Sequence, residues 1–90
     1  QAPPPDDRAR RPPGQLKALQ RDQGQVERTL LELQAEQHSL EARLATTIAA
    51  EELASVGRRL NQIAAELSAL EDRWLTLSEQ MDAVTRPLQS

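Results

Sequence analysis

Residues 53–84 read LASVGRRLNQIAAELSALEDRWLTLSEQMDAV, and apolar side chains recur along them at alternating intervals of three and four residues. All ten positions of this repeat are apolar: Leu53, Val56, Leu60, Ile63, Leu67, Leu70, Trp74, Leu77, Met81 and Val84. A 3-4 repeat places its side chains along one stripe of a helix, as in the seam of a coiled coil. The repeat therefore predicts a long helix whose apolar stripe is covered by another helix.

A second repeat of the same kind lies upstream. Its nine positions, seven of them apolar, are Leu16, Leu19, Gln23, Val26, Leu30, Leu33, Gln37, Leu40 and Leu44. Two helices joined by a short turn must run antiparallel. The sequence therefore predicts an all-α fold, a two-helix antiparallel coiled-coil hairpin over residues 15–86.

The composition between the repeats predicts the boundaries of the hairpin. We expect a first helix over 15–45, a turn over 46–48, a second helix over 49–85 and a C-terminal tail over 87–90. The adjacent residues Thr46 and Thr47 favour a turn, and Thr47 is expected to cap the second helix. Glu51 and Glu52 then fall in its first turn, where carboxylates complement the helix dipole.

Residues 1–14, QAPPPDDRARRPPG, contain five of the six prolines and almost no apolar side chains. Proline does not fit inside a helix, and these charges cannot form a core, so we predict a disordered, Pro-rich flexible linker. Arg8, Arg10 and Arg11 form a small basic cluster within it. The cluster is either a solvated part of the linker or an arm that contacts phosphate.

Further cations lie on the predicted helices, but the hairpin as a whole is acidic. Lys17 and Arg21 lie near the linker, and Arg58 and Arg59 lie toward the turn. Residues 16–85 carry seven basic and twelve acidic side chains, which is the wrong sign for general phosphate binding. Contact with nucleic acid would therefore be confined to these local patches.

Charges beside the two repeats predict how the helices are aligned. In one alignment all three flanking pairs are complementary: Arg43 with Glu52, Glu36 with Arg59 and Asp22 with Arg73. A shift of one heptad in either direction brings like charges together, so this alignment is expected. It places Gln23 opposite Leu70 and Leu19 opposite Trp74. It leaves Met81 and Val84 without a helical partner.

Three residues of the repeats each allow two interpretations. Gln23 and Gln37 either extend their amides toward solvent or discourage alternative alignments. Trp74 either packs in the seam or docks a neighbouring molecule near the open end of the hairpin.

The sequence contains no pattern typical of catalysis or metal binding. It has no glycine-rich phosphate loop and no cysteine, and its single histidine, His38, has no ligand partner four residues away. Glu51 and Glu52 are adjacent, so on a helix they point about 100° apart and cannot act as a carboxylate pair. We therefore predict a non-catalytic chain with no metal and no cofactor. No apolar run approaches the roughly 20 residues of a membrane span, so no membrane contact is expected.

Residues 15–85 resemble the C-terminal coiled coil of bacterial ABC-F ATP-binding proteins, the Uup-like and YheS-like proteins. The resemblance is carried by EELASVGRRLNQIAAELSALEDRWLTLSEQMDAV at 51–84. Within it, RWLTLSE at 73–79 is similar to the family's RWLxLxE element. QVERTLLELQAEQHSLEARLAT at 25–46 is similar to the first helix of the family's hairpin. Residues 1–14 are similar to the linker that follows the second nucleotide-binding domain.

The resemblance implies a cytoplasmic accessory domain of a bacterial ATPase that contacts DNA or the ribosome. ATP and Mg would be bound by ATP-binding cassettes upstream, not by this chain. The expected nucleic-acid contacts are Arg8, Arg10, Arg11, Lys17, Arg21, Arg58 and Arg59. The alternative is a structural, protein-docking or dimerisation hairpin without nucleic-acid binding, in which Trp74, Met81 and Val84 would bind a partner. We expect the hairpin to be monomeric.

Overall fold

The structure, a computed structural model, describes residues 13–86, which form two helices: α1 (Pro13–Leu44) and α2 (Ala50–Thr85). The helices run in opposite directions: Arg43 at the end of α1 bonds to Glu52 at the start of α2, and Gln23 near the start of α1 bonds to Ser78 near the end of α2. The predicted all-α antiparallel hairpin is confirmed. Residues 1–12 of the predicted linker and the tail 87–90 lie outside the described residues.

Helix α1 begins two residues earlier than predicted, at Pro13. Proline is well suited to the first helical position, because its missing N–H has no intrahelical partner there and its φ matches the helix. Helix α1 therefore includes Pro13 and Gly14, the last two residues of the predicted linker. Helix α1 then runs through Gly24 without interruption.

The turn covers residues 45–49, slightly more than predicted. The Thr46 hydroxyl and the Thr46 backbone N–H both donate to the Arg43 carbonyl, at 2.7 and 3.1 Å, and so satisfy an acceptor at the end of α1. The predicted cap at Thr47 is wrong, because the residue preceding α2 is Ala49, which makes no side-chain capping bond. Thr47 lies two residues too early in the chain to bond the first amides of α2.

The core is a narrow stripe between the helices. Its five buried residues are Val26, Leu33, Val56, Ile63 and Leu77. Within each helix they are separated by one heptad or two, so burial is concentrated on one of the two seam positions of each heptad. Among the described residues only Ile63 and Leu77 are fully buried, whereas Leu53, also on the seam, is 52% exposed.

The predicted alignment agrees with the contacts near the turn. Two of the three predicted ion pairs form, Arg43 with Glu52 and Glu36 with Arg59. The third pair, Asp22 with Arg73, is not formed, although both residues lie within the described part of the chain.

At the open end the predicted alignment is wrong. The Gln23 amide Nε2 donates to the Ser78 hydroxyl at 2.6 Å, whereas the prediction places Gln23 level with Leu70. Ser78 lies about 12 Å farther along the axis, beyond the reach of a glutamine side chain. The contact assigns Gln23 a cross-helix bond, which neither interpretation from the sequence included.

Val84 was also expected to lack a helical partner, but it lines a groove with Gln15 and Leu19 of α1. The physical reason lies in the relative energies of charge pairing and burial. Each exposed ion pair contributes only about 0.2–1 kcal/mol. Full burial of an apolar side chain contributes about 1.5–3 kcal/mol, so added apolar contact, as at Val84, offsets the loss of an exposed pair such as Asp22–Arg73.

Candidate docking face

The two long sides of the hairpin differ in chemistry. We name one the charged side, with Glu36, Arg43, Glu52, Arg59 and Glu66. The other carries a shallow depression that we name the leucine groove, lined by Leu30, Glu71, Trp74 and Leu75.

The charged side is closed by bidentate ion pairs across the helices. Arg59 donates from Nε and Nη2 to the two carboxylate oxygens of Glu36, at 2.6 and 2.8 Å, and its Nη1 lies 3.6 Å from Glu66. Arg43 holds Glu52 in the same way, at 2.5 and 2.9 Å. This geometry is the strongest form of the arginine–carboxylate contact.

These contacts change the proton affinity of the carboxylates. The hydrogen bond from Arg59 holds the pKa of Glu36 below its usual value, and the bond from Arg43 does the same for Glu52. The same hydrogen bonds raise the pKa of both guanidinium groups. The charges of Arg43 and Arg59 are therefore largely compensated within the hairpin.

Two leucines just outside the seam, Leu31 and Leu75, lie on the same side of the hairpin as the leucine groove, and Leu75 lines it. Leu31 directly follows the seam residue Leu30, and Leu75 directly follows the seam residue Trp74. One step of 100° from the seam turns both side chains to the same side, because the helices are antiparallel. Leu31 is 66% exposed and Leu75 is 55% exposed, so both present apolar surface to solvent.

Trp74 is half-buried and contributes to both the seam and the groove. Its indole Nε1 donates to the Glu27 carboxylate of α1 at 2.9 Å, which satisfies the ring's only donor and orients it. The two interpretations of Trp74 are therefore not exclusive. The ring packs against α1 and leaves part of its surface on the groove.

Acidic side chains predominate around the groove, although the exposed Arg28, one helical turn before Leu31, lies on the same side and donates to the Gln25 amide oxygen. Glu71, Asp72 and Glu79 lie one helical turn before or after Leu75, and Glu27 lies across the seam on α1. All four are exposed, and none forms an ion pair with another described residue. The groove thus combines an apolar floor with uncompensated negative charge.

A second groove lies at the open end of the hairpin. It is lined by Gln15, Leu19, Gln80, Ala83 and Val84, none of which is titratable, and has a volume of about 430 Å³.

The cations predicted to bind nucleic acid do not form one patch on the described residues. Lys17, Arg21 and Arg58 are exposed, whereas Arg59 is paired with Glu36. Because Arg59 lies beside Glu36, it is about 28 Å from Lys17 along the helix axis. Arg8, Arg10 and Arg11 lie outside the described residues.

The described helices carry neither a metal-binding cluster nor a membrane span. Between residues 13 and 86, no group of three carboxylates or imidazoles is arranged to hold a metal ion, and His38 is exposed. Neither described helix contains the apolar stretch needed to cross a bilayer.

The leucine groove was not predicted from the sequence, because the seam repeat does not include Leu31 and Leu75. An apolar residue directly after a seam position, as at Leu31 and Leu75, was the available signal. No sequence signal indicates the contact of Trp74 with Glu27, because this contact depends on the alignment of the helices at the open end.

Comparison with known proteins found no matching family, no similar curated protein and no similar solved structure.

Proposed function

We propose that this chain is a non-catalytic helical hairpin that docks a protein partner through the leucine groove. The observation that carries this proposal is the exposure of Leu31 and Leu75 on one side of the hairpin, beside a half-buried tryptophan. Exposed apolar surface flanked by polar residues is typical of protein interaction sites. The groove's lining contains a single titratable side chain, Glu71, which supports binding over acid–base chemistry.

Site-specific photo-crosslinking in the source cell tests the proposal. A photoreactive residue at Leu31 or Leu75 should crosslink to the same protein, while one at Ala69, exposed on α2 outside the groove, should not. The identified protein should then bind the purified chain, and Leu75→Glu should abolish that binding. Crosslinks that are equal from all three positions, or that reach only nucleic acid, would refute the docking role.

A second candidate function is contact with DNA or the ribosome as the C-terminal domain of an ABC-F protein. One observation favours it: the exposed cations Lys17, Arg21 and Arg58 form no ion pair with a described acid. The family assignment itself depends on the RWLTLSE stretch at 73–79. It would place the chain in the bacterial cytoplasm, downstream of cassettes that bind ATP and Mg.

Two measurements test this second candidate. Binding of DNA, RNA or ribosomes to the chain must weaken as salt rises if phosphate contacts carry it. Replacing Lys17, Arg21 and Arg58 with glutamine should reduce the slope of that dependence, and an undetectable interaction at low salt would argue against the candidate. The sequence upstream of residue 1 in the parent gene decides the family, because an ABC-F protein requires an ATP-binding cassette there.

A further inference from the structure

We propose that the occupant of the leucine groove is an amphipathic partner helix whose apolar positions are flanked by lysine or arginine. This inference rests on the proposed docking function and adds the chemistry of the partner.

The floor of the groove suits side chains from a helix. It is lined by Leu30, Trp74 and Leu75 and has a volume of about 350 Å³. Leu31, which directly follows Leu30 in the chain, is 66% exposed. A partner helix presents apolar side chains at intervals of three and four residues, which is the recurring way that helices enter grooves. Trp74 is already oriented by Glu27, so its ring need not lose further freedom on binding.

The rim specifies the charge of the partner. Glu27, Glu71, Asp72 and Glu79 have no cationic partner among the described residues, whereas the acids Glu36 and Glu52 on the charged side are neutralised by arginines. Lysine or arginine side chains on the flank of an incoming helix could form ion pairs with these four carboxylates without displacing an existing ion pair. Complementary charge of this kind directs association and selects among partners.

The same rim disfavours the other occupants. A second copy related by a two-fold axis would bring the acids of one rim close to those of the other, and like charges oppose association. Phosphate groups of nucleic acid or of an anionic membrane would meet the same repulsion. A basic helix is therefore the occupant that the charges favour.

Peptide titration of the 90-residue chain tests the inference. One peptide of about 18 residues, long enough to form a helix on binding, carries leucines at 3-4 spacing and lysines on the flanks. A second keeps the leucines but has glutamate for lysine, and a third keeps the lysines but has serine for leucine. Trp74 fluorescence reports binding at the groove, since it is the only aromatic residue of the chain, and calorimetry gives the affinity.

We expect the leucine–lysine peptide to bind and to change Trp74 fluorescence, with an affinity that falls as salt rises. The glutamate and serine peptides should each bind at least about tenfold more weakly. Leu75→Glu should abolish binding, and the double variant Glu71→Gln/Glu79→Gln should weaken it and flatten the salt dependence. Ala69→Glu adds the same charge outside the groove and should leave binding unchanged. Circular dichroism establishes that each variant is folded.

Four results would overturn the inference. Equal binding of the lysine and glutamate peptides would show that the acidic rim has no role. Binding that survives Leu75→Glu would locate the interaction elsewhere. Self-association of the chain that Leu75→Glu abolishes would identify a second copy as the occupant. If no peptide binds while crosslinks from Leu31 and Leu75 still reach one protein, the inference fails and the docking function stands.

Discussion

Truncation of the core should distinguish two residues that are equivalent in the sequence repeat. Ile63 and Leu53 are both apolar seam positions of α2, but Ile63 is 0% exposed and Leu53 is 52% exposed. Ile63→Ala removes three carbon groups at about 0.8 kcal/mol each, or about 2.4 kcal/mol, and leaves a cavity. The higher helix propensity of alanine offsets about 0.4 kcal/mol of this cost, so we expect the free energy of unfolding to fall by about 2–3 kcal/mol.

For Leu53→Ala about half of the side chain is already in water, so the expected loss is about 1 kcal/mol, with little cavity. Urea unfolding followed by far-UV circular dichroism measures both values under one set of conditions. Leu77→Ala should behave like Ile63→Ala, because Leu77 is 1% exposed. Losses at Ile63 and Leu53 that agree within about 0.5 kcal/mol would refute the reasoning, since they would mean that the seam is buried uniformly.

Three further changes have calculable outcomes. Gly24→Ala should raise the free energy of unfolding by about 0.5–1 kcal/mol in urea titrations, because a Cβ there meets no atom within 4 Å and φ is not positive. Ser78→Ala should lower the free energy of unfolding by about 0.5–1.5 kcal/mol, because the Gln23 amide loses its hydrogen-bond acceptor. The hydrogen bond from Arg59 lowers the pKa of Glu36 in the folded chain. The ionised Glu36 carboxylate therefore stabilises the fold fully above about pH 4.5, the usual pKa, and this stabilisation is lost as pH falls through the lowered pKa. Unfolding measured across this pH range should show a smaller loss of stability for Glu36→Gln than for the unmodified chain.

Each of these changes has a matched control. Gly14→Ala lies at the start of α1, where propensity has little effect, and should stabilise less than Gly24→Ala. Ser68→Ala removes an exposed hydroxyl that makes no side-chain hydrogen bond to a described residue. A loss of stability equal to that of Ser78→Ala would refute the role of the Gln23 contact. Glu41→Gln removes an exposed carboxylate that forms no ion pair with a described residue. If the free energy of unfolding of this variant varied with pH as little as that of Glu36→Gln, the Arg59 contact would be unimportant.

Much of the candidate site could not have been predicted, for a physical reason. The positions of Leu31 and Leu75 beside the seam follow from helical geometry, so their shared side was accessible from the sequence. The placement of Trp74 against Glu27 depends on how far α1 and α2 are displaced along their axes. The charges near the turn favour the predicted alignment, but each pair contributes too little energy to hold it along the whole hairpin.

The sequence by itself determined the two helices, their antiparallel arrangement and the apolar stripe of Leu53–Val84, because a 3-4 repeat and a short turn leave few alternatives. The tertiary structure alone decided which stripe residues are fully buried, how Gln23 is satisfied, and that a leucine groove opens opposite the charged side. The difference has one cause. Periodicity is a local property of the chain, whereas alignment is the sum of many weak contacts between residues that are distant in sequence.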